Sequence, residues 1–566
     1  MAQNSPYKGD PFSTYCALSG QQTLFLGEKL FITGGYYVRT PNRTVSAGPW
    51  FRILDLQTSF ELDRLRNYTE ILPPSIYPPT VPIVQNPVFW FDSQTSSIFY
   101  SQGAATLEGG IYNDPSQHTS AVRGKSWTAP FNPTNNSLGL WREIDTPFSG
   151  QTGAAVSRRS FYDDKARKGY IYGGWITGIG PDVVTDGALT YDAETLIWTN
   201  GTIPYGRMDG QGAGVPYRTV DGRVVSIIFG GRLNGTPLSM TTIFIHDITK
   251  NKWYRQDTNG GDPGARGFFC STMVSAPDNS SHQILVYSGV PPSGPSNYTD
   301  IWALSLPSFT WSLIQANSPI LAPGPGPRLH ASCDVVNNHI LAVFGGRNFN
   351  GGDSRNCDTN GNALFLYNLN TLEWLENYDS GDREAYRVPG GVFNDIGGNS
   401  SGFATLTSPP GGFSDPDMTA LFALTTPTSP VESGGKKSTN VGAIAGGTVA
   451  GVAVIVGLAL LIWFFRRRRS QPLPTPPAGD DPRKDTINGA FEIGNSNEQP
   501  QNVYSEVQGG GTAAPYGGIL SDDGHVMEVQ GREVKPVAPP VELPAEDLSN
   551  ASQRKDDSRE RRPLLP

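Results

Sequence analysis

Histidine and cysteine are the first side chains to consider for chemistry, because both ligate metals and cysteine is also a nucleophile. The chain has six histidines and four cysteines, with no H-E-x-x-H and no C-x-x-C spacing. His246, His282, His330 and His339 are the candidate ligands for copper or another metal, but their places within repeated segments favour structural roles. No nucleophile, base and orienting group can be assembled from spacing, so we expect no catalytic site, no metal and no cofactor.

Doubled glycines are the second chemical candidate, because glycine-rich loops that open a helix bind phosphate. Here they end apolar runs, as in "FITGG", "YIYGG", "IIFGG" and "AVFGG", and no G-x-G-x-x-G or G-x-x-x-x-G-K-[ST] string follows them. We therefore predict backbone positions of positive φ or close packing rather than a ligand site. With the relaxed form "LVYSG", these glycines are Gly34, Gly35, Gly173, Gly174, Gly230, Gly231, Gly289, Gly345 and Gly346.

The glycines recur with a period. From Gly174 the steps to Gly231, Gly289 and Gly346 are 57, 58 and 57 residues, and a degenerate copy ends at Gly103. A tryptophan follows each of the last four glycines, with a tyrosine seven residues before it in two of the copies, and we expect these rings to pack between repeats. The aromatic positions of this frame are Tyr191, Trp198, Trp253, Trp311, Tyr367 and Trp374.

An apolar run that ends in Gly-Gly, followed by a spaced tyrosine and tryptophan, resembles the kelch repeat over roughly residues 20–380. The resemblance implies an all-β, galactose-oxidase-like kelch β-propeller in which each repeat is one four-stranded blade; radial stacking buries faces that no single repeat could bury. We expect six blades, with seven as the alternative, in a domain of residues 12–425. Residues 385–425 are expected to be strands that close the ring. Blades 1 and 2 are the least regular, because Phe60 and Trp141 only approach the tryptophan position.

Residues 441–465 are 25 positions without a charged side chain. As a helix they would extend roughly 37 Å, enough to cross a hydrocarbon core of about 30 Å. The positive-inside rule then places the propeller outside the plasma membrane and the C-terminal tail in the cytoplasm. Small-xxx-small glycine spacing in the helix makes a homodimer a further expectation. The stop-transfer residues are Arg466, Arg467, Arg468 and Arg469.

The remaining segments fit the same topology. Residues 1–11 are expected to be disordered, and because "MAQNSPYKGDPFSTYC" lacks an apolar region, either a leader is missing from the start or the domain stays inside; we favour the first. Residues 426–440 have the composition of a stalk, and residues 466–566 that of a disordered tail whose "PLPTPP" stretch suits an SH3 or WW partner. The glycosylation candidates are Asn42, Asn67, Asn135, Asn200, Asn234, Asn279, Asn297 and Asn399.

Two further patterns concern the framework. A P-x-x-R mark precedes three repeats, at Arg207, Arg266 and Arg328, and we expect each arginine to tie its own strand to a neighbouring loop or carboxylate. Cys333 and Cys357 flank one Gly-Gly strand, so in an oxidising compartment we expect them to form a disulfide bond across the intervening insertion. The sequence leaves the pairing of Cys16 and Cys270 open.

The net charge of −9 argues against a nucleic-acid partner. Among extracellular ligands, a protein or a glycan is expected, bound by the insertions at 103–141, 175–188, 290–300 and 347–362, because loops that vary between repeats carry function. The layout resembles kelch-repeat surface proteins of filamentous fungi, so we expect a binding protein rather than an enzyme. The alternatives are an extracellular oxidase or hydrolase and a wall-facing adhesin or spacer.

Overall fold

Short strands dominate the computed structural model. It describes residues 15–39, 44–47, 51–78, 80–105, 124–149, 154–157, 159–177, 183–184, 187–291, 298–317, 324–348, 357–358 and 363–423. The predicted N-terminal segment, stalk, membrane helix and tail lie outside these ranges. Within them, no helix is both long and apolar enough to cross a bilayer.

Six sheets of four or five strands, antiparallel except for one parallel strand pair each in the third and fifth, follow one another along the chain, and we number them as blades 1 to 6. Blade 1 contains a 3-10 helix (Leu62–Tyr68) and the strands β1 (Tyr15–Leu26), β2 (Lys29–Arg39), β3 (Thr44–Ala47), β4 (Arg52–Asp55), β5 (Phe60–Glu61) and β6 (Thr69–Ile71). Blade 2 and the segment that leads into it contain β7 (Val84–Gln85), β8 (Val88–Asp92), β9 (Ser97–Ser101), β10 (Ala104–Ala105), β11 (Lys125–Asn132), β12 (Ser137–Leu138) and β13 (Arg142–Asp145).

Blades 3 and 4 follow the same plan. Blade 3 contains β14 (Phe148–Ser149), β15 (Ala154–Val156), β16 (Ser160–Asp163), β17 (Lys168–Tyr172), β18 (Trp175–Thr177), β19 (Val183–Val184), β20 (Gly187–Asp192) and β21 (Ile197–Thr202). Blade 4 contains β22 (Ala213–Arg218), β23 (Val224–Phe229), β24 (Arg232–Leu233), β25 (Thr236–Pro237), β26 (Thr242–Asp247) and β27 (Lys252–Asp257).

Blades 5 and 6 complete the set. Blade 5 contains β28 (Asn259–Gly260), β29 (Cys270–Ser275), β30 (His282–Tyr287), β31 (Ile301–Leu306) and β32 (Thr310–Gln315). Blade 6 and the segment after it contain β33 (Arg328–Leu329), β34 (Ser332–Val336), β35 (Ile340–Phe344), β36 (Arg347–Asn348), β37 (Leu364–Asn368), β38 (Glu373–Leu375) and β39 (Asn377–Tyr378). Two short helices follow, α1 (Gly390–Ile396) and α2 (Asp417–Leu421).

The blades form a closed ring. The first main strand of each blade, namely β1, β8, β16, β22, β29 or β34, contacts the first main strand of the next blade, and β34 contacts β1. These six inner strands surround a central channel. The second strands of the blades are apolar for a related reason. All six residues of β23, the second main strand of blade 4, are buried, because neighbouring blades cover both faces of this blade. The expectation of six blades is confirmed.

The glycine pairs follow the second main strand in blades 3, 4 and 6, and in blade 1 the pair lies within β2. All nine predicted glycines have positive φ, and so do Gln102, Gly103 and Ser288 at the degenerate positions. At Gly173 a Cβ atom would lie 2.3 Å from the carbonyl oxygen of Met208, so both the backbone conformation and the close approach require glycine there. We call this end of the ring the glycine face and the opposite end, where tight turns join the strands, the hairpin face.

The segment after blade 6 differs from our expectation. Residues 385–423 contain the helices α1 and α2 and no strand, so the prediction that they close the ring as strands is wrong. Ring closure instead uses β39, which pairs with β5 of blade 1, where Tyr378 stacks on Phe60 at 5.1 Å. The physical reason is that β1 already supplies the inner strand of blade 1, so no strand of that sheet is missing.

Residues 379–423, which we call the strap, run back over the hairpin-face side of blades 6, 5 and 4. Asp395 accepts a hydrogen bond from Ser312 of blade 5 at 2.6 Å, and the backbone N–H of Phe403 donates to Asp278 at 2.7 Å. Near its end, Lys252 of blade 4 bonds Asp417 at 2.7 Å, and Phe422 is buried in the core between blades 4 and 5. The strap is therefore an integral part of the propeller.

The tryptophans pack between blades, as expected. Trp198 and Trp311 are fully buried, whereas Trp253 and Trp374 are half-buried. Trp311 of blade 5 lies against the apolar core of blade 4, and its Nε1–H donates to the carbonyl oxygen of Met240 at 2.9 Å. One ring thus contributes both apolar burial and a specific hydrogen bond to a blade interface.

We predict that Trp311→Ala lowers the free energy of unfolding by about 3–5 kcal/mol, because it leaves a cavity and an unpaired carbonyl. Leu313→Ala, two residues along the same strand at a side chain that is 41% exposed, is the control and should change it by less than about 1 kcal/mol. Urea unfolding followed by far-ultraviolet circular dichroism measures both. Equal losses for the two variants would show that Trp311 does not hold the interface.

Candidate functional site

A collar of backbone hydrogen bonds surrounds the glycine-face end of the channel. The N–H of Asn86 donates to Gly20 at 2.6 Å, that of Gly20 to His330 at 3.3 Å, that of His330 to Phe268 at 3.0 Å, and that of Phe268 to Gln211 at 2.8 Å. Each bond runs from one blade to the preceding one, and the four donors all have positive φ. The collar holds the starts of the inner strands at one radius, and this fixes the channel mouth.

Buried arginines lie just outside the collar. Arg266 forms an ion pair with Asp300 at 2.7 Å and donates to the carbonyl oxygen of Ser288, and Arg328 pairs with Asp358 and donates to Gly346. The expectation for the P-x-x-R mark is thus confirmed at these two positions. It is wrong at Arg207, which is exposed.

Arg159, at the start of blade 3 and without the P-x-x-R mark, makes the corresponding contact with blade 4, which Arg207 does not make. Its guanidinium donates to the carbonyl oxygen of Gly230 at 2.5 Å and lies 3.8 Å from Asp209. Burial lowers the pKa of Arg159 to about 10, so the side chain stays charged at neutral pH. Burial also raises the pKa of Asp209 and of Asp358.

Buried aspartates follow one rule in the described residues: each forms an ion pair with an arginine. The pairs are Asp92 with Arg167, Asp163 with Arg218, Asp209 with Arg159, Asp247 with Arg223, Asp300 with Arg266 and Asp358 with Arg328. The rule is physical, because a carboxylate removed from water is costly unless a cation or several donors replace the solvent.

The cysteines pair differently from our expectation. The bonds are Cys16–Cys357 and Cys270–Cys333, so a Cys333–Cys357 disulfide bond is wrong. Cys270 and Cys333 lie on the adjacent inner strands β29 and β34, whereas Cys357 lies against β1, where the N–H of Asp358 donates to the carbonyl oxygen of Cys16 at 2.7 Å. Both bonds therefore join neighbouring blades and hold blade 6 to blade 5 and to blade 1.

The histidines have structural contacts. His246 stacks on Trp253 at 4.4 Å and bonds Tyr172 and Asn251, and His282 bonds Ser275 at 2.8 Å. Burial lowers the pKa of both imidazoles. Among the residues that the structure describes, no three His, Cys, Asp or Glu side chains converge to hold a metal ion.

The central channel contains a cavity of about 300 Å³ that sequence reasoning missed. Its wall is formed by inner strands of five blades and includes Thr23, Ser271, Thr272 and Asp334. Thr23 donates to Asp334 at 2.5 Å, and burial raises the pKa of this carboxyl. The one available signal in the sequence was an aspartate in the middle of "SCDVV", a strand with no other charge.

Asp334 is half-buried and is not one of these six paired aspartates. No lysine, arginine or histidine of the described residues forms an ion pair with it, and its hydrogen-bond partner is the Thr23 hydroxyl. The cavity therefore contains a carboxylate that is partly removed from water and is not neutralised by a cation of the described chain.

The predicted insertions 175–188, 290–300 and 347–362 begin and end at the glycine face, whereas 103–141 begins there and ends at the hairpin face, because β11 crosses its blade. Large parts of them lie outside the described residues, but residues 125–132 and 137–138 of the first insertion form β11 and β12 of blade 2. Asn67, Asn135, Asn200, Asn234, Asn279 and Asn399 are exposed, while Asn42 and Asn297 lie outside the described residues. Glycosylation at these sites stays a prediction.

Comparison with known proteins identifies the repeat. Residues 218–393 match the family model of the KLHDC2/KLHL20/DRC7 Kelch-repeats domain. The described chain forms a six-bladed kelch-repeat β-propeller. A kelch repeat-containing protein of Arthroderma benhamiae is 30% identical over 278 residues, and the match covers 43% of this chain and 40% of that protein, so the chain spans about two fifths of that relative. The structure of YjhT has 14% identity and a TM-score of 0.42, and the alignment covers 64% of this chain and 98% of YjhT.

The buried ion pairs of this kelch propeller predict different roles for arginines with the same sequence mark. Arg266→Met should lower the free energy of unfolding by about 3–5 kcal/mol, because Asp300 is left charged and buried. Arg207→Met, at an exposed side chain, should change it by no more than about 0.5 kcal/mol. Chemical denaturation distinguishes the two, and similar effects at both positions would contradict the assignment.

Asp334 predicts a dependence of stability on pH. Its folded-state pKa is raised above the ordinary value of about 3.8, so the folded state disfavours the ionised carboxyl, and wild-type stability falls as pH rises through the folded pKa. Asp334→Asn should therefore raise the free energy of unfolding at pH 7, and the gain should shrink as the pH is lowered towards 4. A gain that is independent of pH, or a loss at pH 7, would contradict this origin.

Proposed function

We propose that the chain is an interaction protein whose propeller binds a protein or glycan partner outside the plasma membrane through loops of its glycine face. Residues 441–465 would anchor it as a single helix, and the tail would bind partners in the cytoplasm. A kelch propeller favours an interaction role, because its regular blades form a rigid scaffold on which variable loops are displayed.

The observation that carries this proposal is the difference between the two ends of the ring. Three of the four insertions begin and end at the glycine face, and the fourth, 103–141, begins there. The hairpin face is occupied by tight turns, by the strap and by ion pairs between blades, such as Arg167–Asp92 at 2.9 Å and Arg218–Asp163 at 3.1 Å. Groups already paired within the molecule are less available to a partner, so we place the binding surface at the glycine face.

Two further observations support exposure to the outside. All four cysteines form disulfide bonds, and bonds of this kind persist in oxidising compartments. The last described residues of the strap lie on the hairpin-face side, where Phe422 packs on Tyr217 at 5.3 Å. A chain that leaves the propeller there does not have to pass over the glycine face.

The proposal is tested on intact cells with the full chain and two single variants in blade 4. Arg207→Cys adds a thiol to the exposed glycine-face loop, and Val220→Cys adds one to a hairpin-face turn whose side chain is 53% exposed. A membrane-impermeant maleimide photo-crosslinker should label both thiols, and only the thiol at position 207 should give a crosslinked partner.

Each result is decisive. Labelling of neither thiol before lysis, but of both after it, would overturn the outward topology. Labelling of both with partner crosslinks only from position 220 would keep the topology and overturn the binding face. Sensitivity of the crosslinked species to glycosidase or to protease identifies the partner as a glycan or a protein.

A further inference from the structure

The channel cavity has a property that the loop-binding role does not use. Its wall contains a carboxylate, several hydroxyl groups and the sulfur atoms of the Cys270–Cys333 bond, in a space of about 300 Å³. Volumes of this size lie at the lower end of the range for small-ligand pockets. By volume the cavity holds about ten water molecules, at roughly 30 Å³ each.

The charge of the cavity identifies the class of ligand. The inner strands carry four charged residues, of which Asp92, Asp163 and Arg218 lie at the hairpin-face ends in ion pairs. Asp334 is the fourth and has no such pair among the described residues. Asp334 is half-buried, and no lysine, arginine or histidine of the described residues neutralises it, whereas each fully buried aspartate has an arginine beside it.

The geometry favours a compact cation with several donors. Oδ2 of Asp334 accepts the Thr23 hydroxyl, and both carboxylate oxygens keep lone pairs that can accept from a cation beside the hydroxyl groups of the wall. Calcium and magnesium usually need several oxygen ligands including more than one carboxylate, and no cluster of that kind lies among the described residues. An ammonium group has three donors, which suit one carboxylate and neighbouring hydroxyls.

We propose that the central channel binds a primary ammonium group, with Asp334 as its counter-ion and the channel hydroxyls as additional acceptors. Two sources share this chemistry: a free alkylamine, and a lysine side chain inserted by a partner protein. The inference does not depend on the glycine-face loops, so its success or failure is separate from that of the proposed function.

Other titratable groups near Asp334 do not compete for this role. The strands packed against β34 are β1, β29 and β35, and none of them carries Asp, Glu, Lys, Arg or His. Their titratable side chain is Tyr15, which bonds Asp358 at 2.5 Å, and their cysteines are disulfide-bonded. A dependence of ammonium binding on pH between 4 and 8 that disappears in Asp334→Asn would therefore report Asp334.

The test is calorimetric titration of the purified full-length chain with butylammonium chloride, with butanol and butylguanidinium as matched probes. We expect butylammonium to bind at least tenfold more tightly than either probe, and to bind more weakly as the pH is lowered, because protonation of Asp334 removes the counter-ion. Asp334→Asn should weaken butylammonium binding at least tenfold. Thr23→Val, which keeps the carboxylate, should retain it.

The outcomes separate cleanly. Absence of butylammonium binding to the wild-type chain, or equal affinity in Asp334→Asn with its fold verified by circular dichroism, would overturn the proposal. Binding that is equal for butanol would assign the cavity to apolar contacts and overturn it as well. Tighter binding of N-acetyl-lysine methylamide than of butylammonium would indicate a partner's lysine as the source, and the reverse order a free amine.

Discussion

Every blade of this propeller must bury two faces, so the seam between blade 6 and blade 1 has to be packed as well as every other seam. This seam is formed by blade 1 and blade 6, which lie far apart in the sequence. The chain joins them through the Cys16–Cys357 bond, through Tyr378 stacked on Phe60, and through the collar, in which Gly20 continues the bonding pattern of the other blades. Closure is thus distributed over covalent, apolar and backbone contacts.

The repeat made the blades predictable and left the seams unpredictable. A glycine of positive φ is present at this position in every blade, and a tryptophan follows it in blades 3 to 6, for local reasons such as the close approach at Gly173, so their period reveals the architecture. The disulfide pairing depends on which residues meet across a seam, and Cys16 and Cys357 are 341 residues apart. The strand prediction for residues 385–425 is wrong for the same reason: their glycine-rich sequence has little periodicity, and burial of Phe422 against another blade decides the course of the strap.

Electrostatic contacts show the same limit at single residues. Arg207 and Arg266 share a sequence mark, but only Arg266 meets an aspartate in the folded chain, and Asp300 reaches it from 34 positions away. Arg159 has no such mark and makes the contact from blade 3 to the glycine pair of blade 4. An arginine can be buried and hold the propeller together only where a carboxylate pairs with it, and tertiary structure determines which carboxylate lies there. The sequence mark therefore predicts that arginines pair with carboxylates, and it is wrong about one of the three arginines.

Asp334 follows from this argument by contrast. Each buried aspartate of the described residues has an arginine beside it, whereas the half-buried Asp334 in the central channel has none. Arg207, which is exposed, shows that the chain also contains arginines outside these pairs. Stability alone favours an apolar or amide side chain there, because an ionised group with one hydroxyl donor weakens the fold at neutral pH. Residues that oppose stability at a cavity wall are the ones that a binding role explains, and the channel is where this propeller combines a closed scaffold with an unpaired charge.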